Sequence, residues 1–387
     1  MKKAYLWIGL AAFAILAAVG VYFLVKPTQK QLARAELAVP ASNPAGFARA
    51  NGPIALSFPK DMGPHPDYQT EWWYYTGNLD TPEGRHFGYQ LTFFRRALIP
   101  PNQVQPRESD WATAQVYMAH FALTDVASQK FHSFERVERG AAGLAGASVD
   151  PNFQVWLQDW SVKAITPNTY QLIAAQDDLA LRVTLQDQKG IILEGDRGYS
   201  QKGPQAGNAS YYTSQTRLQT VGTLSVLGET FRVSGTSWMD HEYSTSALSQ
   251  DQVGWDWFGL QLSDQTEAMI YRMRRADGSV DPFSSGTFID REAKTQTLKS
   301  GDFSIQATGK WKSPSTGAEY PSGWNVKIPG AGLDLQIEPF MPDQENRLTF
   351  VYWEGAVRVH GTHDGKPVSG VGYVELTGYS GSFAGQF

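Results

Sequence analysis

The sequence predicts an all-β protein: two antiparallel β-barrels in tandem, preceded by a transmembrane helix at the N-terminus. Three observations carry that expectation. Short runs of alternating apolar residues recur throughout the body. Similar runs appear in the same order in each half. One long uncharged stretch stands apart at the start of the chain.

The uncharged stretch comes first. Lys2 and Lys3 precede residues 4–25, and Lys26-Pro27 closes them. As a helix, 22 residues cover ~33 Å, enough to cross a bilayer core of roughly 30 Å. A cleavable signal peptide carries an apolar core of only about 7–15 residues. The nearest A-x-A, Ala33-Arg34-Ala35, lies far downstream. Residues 1–26 therefore read as an uncleaved membrane anchor, with a long cleaved signal peptide as the alternative. The two leading lysines place the N-terminus on the cytoplasmic side and the body in the periplasm or otherwise outside the cytoplasm. Residues 27–50, with Pro27, Pro40, Pro44 and Gly46, read as a linker.

The body follows as strands. Phe87, Tyr89, Leu91 and Phe93 share one strand face, and Leu179, Leu181, Val183 and Leu185 share another. Leu333, Leu335 and Ile337 repeat the pattern. Period two, broken by Gly, Pro, Asn and Asp, is the signature of strands in barrels or sandwiches. The repeat pairs W-x-x-x-G at Trp73–Gly77 with the same spacing at Trp255–Gly259, each followed by a strand ending in Arg-Arg. Gly198-Tyr199-Ser200 and Gly378-Tyr379-Ser380 close the two halves. The expected barrels are residues 51–218 and 219–387, a duplication.

Composition removes many chemistries. The 387 residues carry 33 basic and 38 acidic side chains, a net charge of −5, and no cysteine. Thiolate metal sites, iron–sulfur clusters and a cysteine nucleophile are excluded. A mildly acidic chain without a basic run is not built to grip nucleic acid. There is no P-loop, dinucleotide fingerprint or G-x-S-x-G elbow, so no cofactor is expected. The seven His are scattered, and no metal site is expected. What stands out is an aromatic content of 13%, with 12 Trp.

Residues 58–79, F-P-K-D-M-G-P-H-P-D-Y-Q-T-E-W-W-Y-Y-T-G-N-L, resemble the opening signature of the AttH-like proteins, relatives of carotenoid 1,2-hydratase (CrtC-like). Stretches at 88–95, 119–125, 237–243 (S-W-M-D-H-E-Y), 254–259 (G-W-D-W-F-G), 352–355 and 372–379 resemble the same family. The resemblance implies two lipocalin-like barrels packed together and an apolar substrate in a barrel or interdomain cavity. It also implies activities ranging from carotenoid hydration to association with ABC export permeases.

Adding water to an alkene needs a general acid strong enough to make a carbocation. A desolvated carboxyl can hold such a proton near neutral pH, and aromatic faces steady the cation. Asp240 is the candidate acid and His241 its partner, with Trp238, Tyr243, Trp255 and Trp257 as lining; a turn-stabilising role is the alternative for Asp240 and His241. Asp256, on an apolar strand face, is either a pocket residue or the partner of Arg272 or Arg274. Glu71 shares a face with Trp73 and Tyr75, and both Glu71 and Trp73 are candidate ligand contacts. Tyr271 is another, although Met273 stands where the hydratase resemblance leads one to expect an acid. The favoured reading is a membrane-tethered binder of a lipid or isoprenoid, accessory to an ABC permease. A carotenoid 1,2-hydratase-like enzyme is the alternative, and carbohydrate binding a third.

Overall fold

The computed structural model describes residues 45–105, 108–245, 248–249 and 251–382. The expected anchor at 1–26 and nearly all of the linker lie outside them. Among the described residues no helix is long and apolar enough to cross a membrane. Residues 47–50, expected as linker, belong to the body: Phe47 and Ala50 are buried, and the Ala48 amide donates to the Asp67 carbonyl at 2.9 Å.

The fold is all-β, and among the described residues only three short 3-10 turns interrupt it. The first sheet contains β1 (Thr70–Asp80), β2 (His86–Ala97), β3 (Gln115–Asp125), β4 (Lys130–Arg139), β5 (Ala145–Ser148), β6 (Gln154–Leu157), β7 (Trp160–Thr166), β8 (Thr169–Gln176), β9 (Leu179–Asp187), β10 (Ile192–Leu193), β11 (Tyr199–Gln201), β12 (Ala209–Val226) and β13 (Glu229–Ser244). Its spatial order is β4-β3-β2-β1-β13-β12-β9-β8-β7-β6-β5, a nearly closed antiparallel barrel. The second sheet contains β14 (Gln252–Leu262), β15 (Glu267–Arg275), β16 (Ser285–Ile289), β17 (Thr295–Lys299), β18 (Ser304–Ala307), β21 (Trp324–Ile328), β22 (Leu333–Pro339), β23 (Glu345–Arg347), β24 (Val351–His363) and β25 (Lys366–Leu376). The short hairpin of β19 (Lys310–Lys312) and β20 (Glu319–Pro321) stands apart. The second order, β17-β16-β15-β14-β25-β24-β22-β21-β18, repeats the first from β4 through β7, and β6 and β5 have no counterpart on that path.

The duplication is therefore topological, but two details differ from expectation. The boundary expected at 218/219 falls inside β12, and the first sheet continues to Ser244. The long hairpin β12–β13, turning at Leu227 and Gly228 with φ of 52° and 82°, brings the chain back beside β1. Two consecutive positive φ values suit the twist of a tight hairpin. The paired W-x-x-x-G motifs also fall on opposite faces. Trp73 points into the first barrel's core, whereas Trp255 points out of the second sheet's core. A slip of one residue exchanges the faces of a strand.

Burial explains which strands meet. β9 alternates buried and accessible residues, as a strand with one wet face must. In β1, β2, β3, the second half of β13, and β14, nearly every residue is buried. Both faces of those strands are covered, one by their own core and one by the other sheet. Hydrogen bonds zip this seam: Asn78 Nδ2 donates to the Gly372 carbonyl at 3.0 Å, and Gln261 Nε2 to the Ser237 carbonyl at 2.9 Å. Gly88 is required here, because a Cβ at that position would sit 2.5 Å from Ala356 Cβ. Gly88→Val is accordingly expected to cost about 1–3 kcal/mol through overpacking of the seam. A lowered urea midpoint checks it, and an unchanged midpoint would mean that the sheets do not interlock there.

Candidate functional site

Away from the zipped end, the sheets part into a cleft lined by both of them. The first sheet contributes Trp72 and Tyr74 from β1, Thr92 and Phe94 from β2, His120 from β3, Tyr212 from β12, and Asp240 and Glu242 from β13. The second contributes Trp255 and Trp257 from β14, Tyr271 and Met273 from β15, Tyr352 from β24 and Glu375 from β25; Lys202 reaches in from the loop before β12. Trp72, Phe94 and Trp255 are half-buried and ring the mouth, whereas Tyr74, Asp240 and Trp257 lie buried deeper.

Asp240 is held from three sides. Its Oδ2 accepts from the Tyr212 hydroxyl at 2.6 Å. Its Oδ1 accepts from Ser214 Oγ at 2.6 Å and Trp238 Nε1 at 2.7 Å. Burial nevertheless dominates, and pushes the Asp240 carboxyl up to about 7. Tyr212 in turn accepts from Trp257 Nε1 at 3.0 Å, so its hydroxyl links the acid to the aromatic wall.

A second acidic group faces it from the other sheet. Glu375 accepts from Trp255 Nε1 at 2.6 Å. Burial, then the nearby Asp240 and Glu242 carboxyls, push Glu375 up to about 7. Directly across the strand pair lies Glu354, fully buried, with the Tyr74 hydroxyl donating to it at 2.7 Å. Burial and then Glu375 hold Glu354 well above the carboxylate range. Glu194 behaves alike: burial raises it to about 8. Among the described residues of the cleft lining the one Lys or Arg is Lys202, 3.0 Å from Glu242 and 4.1 Å from the centre of the Tyr271 ring. Burial lowers the Lys202 pKa most strongly, but Glu242 and Tyr271 outweigh it and leave the ammonium above its ordinary value.

Asp240, Trp255, Trp257 and Tyr271 thus meet in the cleft, and Trp238 backs Asp240. The other candidates lie elsewhere. His241 follows Asp240 on a strand and so points to the opposite face. There its Nε2 donates to Glu71 Oε1 at 2.8 Å and its ring stacks on Trp73, at the end of the first barrel. It is no partner of Asp240. Glu71 and Trp73 belong to this barrel-end group, with Arg95 Nε donating to Glu71 Oε2 at 2.7 Å. Tyr243 shares the His241 face and stacks on His65 at 3.6 Å. Asp256 faces the second core, paired with Arg272 at 2.5 Å and Arg274 at 3.0 Å and accepting from Tyr379.

His65, Glu71 and His241 bring three ligand-type atoms close together. Both rings contact the same Glu71 oxygen at 2.8 Å, a hydrogen-bond spacing, and the Arg95 guanidinium holds the other oxygen. Their charge complementarity is already internal, so the group reads as an ion network.

A family model described as AttH-like matches residues 49–379. The chain belongs to the AttH-like family. A crystal structure of a candidate AttH protein from Nitrosomonas europaea is similar at 36% identity and a TM-score of 0.76, covering 86% of this chain and 99% of that one. Kievitone hydratase from Nectria haematococca shares the fold at 16% identity and a TM-score of 0.64, covering 87% and 98%. CghA, solved with Sch210972, has 10% identity and a TM-score of 0.50, covering 81% and 89%. No curated protein sequence matches the chain.

In this AttH-like chain several cleft residues escaped sequence reasoning: Tyr74, Tyr212, Lys202, Glu242 and Glu375. One signal was available. Trp238, Asp240 and Glu242 share a face by period two, which pairs Asp240 with Glu242 and sets His241 apart. Glu354 is sealed in the seam, because β24 packs against the first sheet.

Proposed function

We propose that this AttH-like protein binds an apolar, unsaturated small molecule in the cleft and adds water across its double bond. One observation carries the reading: Asp240 is a carboxyl buried in an aromatic wall, and burial pushes it up to about 7. The π electrons of the alkene take the proton from the Asp240–Tyr212 couple, forming a C–H bond as the acid O–H breaks. The cation that results lies among Trp257, Tyr74 and Trp255, whose ring faces attract positive charge. Water then forms the C–O bond and gives its proton to an ionised cleft carboxylate, Asp240 or Glu375. Isoprenoids fit this chemistry because protonation of a trisubstituted alkene gives a tertiary cation. The hydratase among the structural neighbours is consistent with it, at the level of fold.

The same cleft also suits a carrier, favoured by its many ring faces and its mouth of half-buried aromatics. In either case residues 1–26 would tether the body at a membrane, where apolar ligands reside, with an ABC permease as the source of cargo. The test is mass spectrometry of molecules retained by the purified protein, followed by incubation with the retained alkene. Appearance of a product heavier by one water is expected. Retention without conversion would leave the carrier, and an empty cleft would overturn both.

A further inference from the structure

The strands that line the cleft end together at its mouth. β1 begins at Thr70, paired with Arg96 and Ser244, and β14 begins at Gln252, paired with Arg275. The loop that leaves β2 at this end displays large apolar side chains. Leu98 is 47% exposed, Ile99 40%, Val104 43% and Trp111 57%. Exposed Ile54 and Val280 lie at the same end: Gly52 accepts from Tyr211 near the start of β12, and Val280 bridges Arg274 near the end of β15. Large apolar side chains left exposed in one loop, beside the opening of an apolar cleft, point to an interaction surface.

The chain's own course says what covers it. The first described residues pack on this loop: a Cβ on Gly46 would come 2.9 Å from Pro100 Cγ. The apolar stretch at 4–25 precedes them in sequence. The 19 residues at 26–44 span at most ~60–70 Å when extended. A bilayer holding the apolar stretch is therefore within reach of the loop. Around the exposed residues Arg107 stands beside Glu108 and Asp110 in sequence, so the loop carries no basic excess. Its attraction to a membrane rests on apolar insertion, with Trp111 suited to the headgroup level.

We propose that Leu98, Ile99, Val104 and Trp111 dock into a lipid bilayer and hold the mouth of the cleft against it. This rests on reading the cleft as the site for an apolar ligand. Such a ligand then passes between membrane and cleft without crossing water.

The chain has no cysteine, so single labels are straightforward. Val104→Cys and Val221→Cys are each made in the full chain, labelled with a polarity-sensitive fluorophore and reconstituted into phosphatidylcholine vesicles. Val221 is exposed on β12, toward the end away from the mouth. Iodide is expected to quench the label at 104 at least about fivefold less than that at 221, because docking sinks it several ångströms into the interface. Spin-labelled lipid should quench only the label at 104. Equal access of iodide to both labels would overturn the proposal. So would shielding at 104 without quenching by lipid, which would mean a protein partner on that surface. Ligand retention by the cleft is measured separately in detergent micelles, and its failure there would strike the cleft reading while leaving the contrast between labels intact.

Discussion

Asp240→Asn is expected to lower the rate of water addition by about 10²–10⁴-fold, the usual worth of a positioned general acid. The amide keeps the size of the carboxyl and can still accept from Trp238 and Ser214. Ligand retention should therefore persist, and the loss should fall on turnover. The pH profile of the unsubstituted protein follows from the same group. Burial lifts the Asp240 carboxyl from its ordinary value of 3.8 to about 7. Turnover needs the protonated form, so it should be flat on the acid side and fall about tenfold per unit as pH rises beyond that value. Glu375 titrates in the same range and feels Asp240, so the inflection belongs to the pair. Single-turnover rates across pH check this. Survival of conversion in Asp240→Asn would remove Asp240 as the acid.

The second large effect lies at the end of the first barrel and concerns stability. Arg95→Met strips the fully buried Glu71 of its guanidinium partner and is expected to cost about 3–5 kcal/mol, the penalty for an unpaired buried charge. Burial alone would raise the Glu71 pKa; the Arg95 charge, with hydrogen bonds from His241 and His65, outweighs it and holds the carboxyl well below the carboxylate range. A depressed folded pKa gives stability that is present above the unfolded value near 4.5 and is lost as pH falls below it. The variant should therefore unfold at lower denaturant near neutrality and lose much of that acid-side slope. Adding Glu71→Gln should recover part of the loss. Equal midpoints for the variant and the unsubstituted protein would show that the network does not hold the barrel end.

The fold was largely legible in the sequence because its signals are local. The alternation in Leu179–Leu185 and Leu333–Ile337 identifies strands with one wet face, and the ordered repeat anticipates two equivalent sheets. The site was legible only in part. Asp240, Trp255, Trp257 and Tyr271 do converge, but a dense polar run invites grouping neighbours such as Asp240 and His241, which a strand sends to opposite faces. Glu354 and Glu375 were hidden for another reason. A carboxylate alternating with apolar residues looks the same in sequence whether its face meets water or a second sheet. The aromatic run of β1, apolar on both faces, was the clue that a second sheet covers it.

With Gly88 pressed on Ala356 and Asn78 bonded to Gly372, the cleft is closed at that end. A ligand that enters from the mouth meets a wall there. A long ligand can therefore place only its terminus against the acid while the remainder trails outside. Selection should act on the end group of the molecule and be indifferent to its total length.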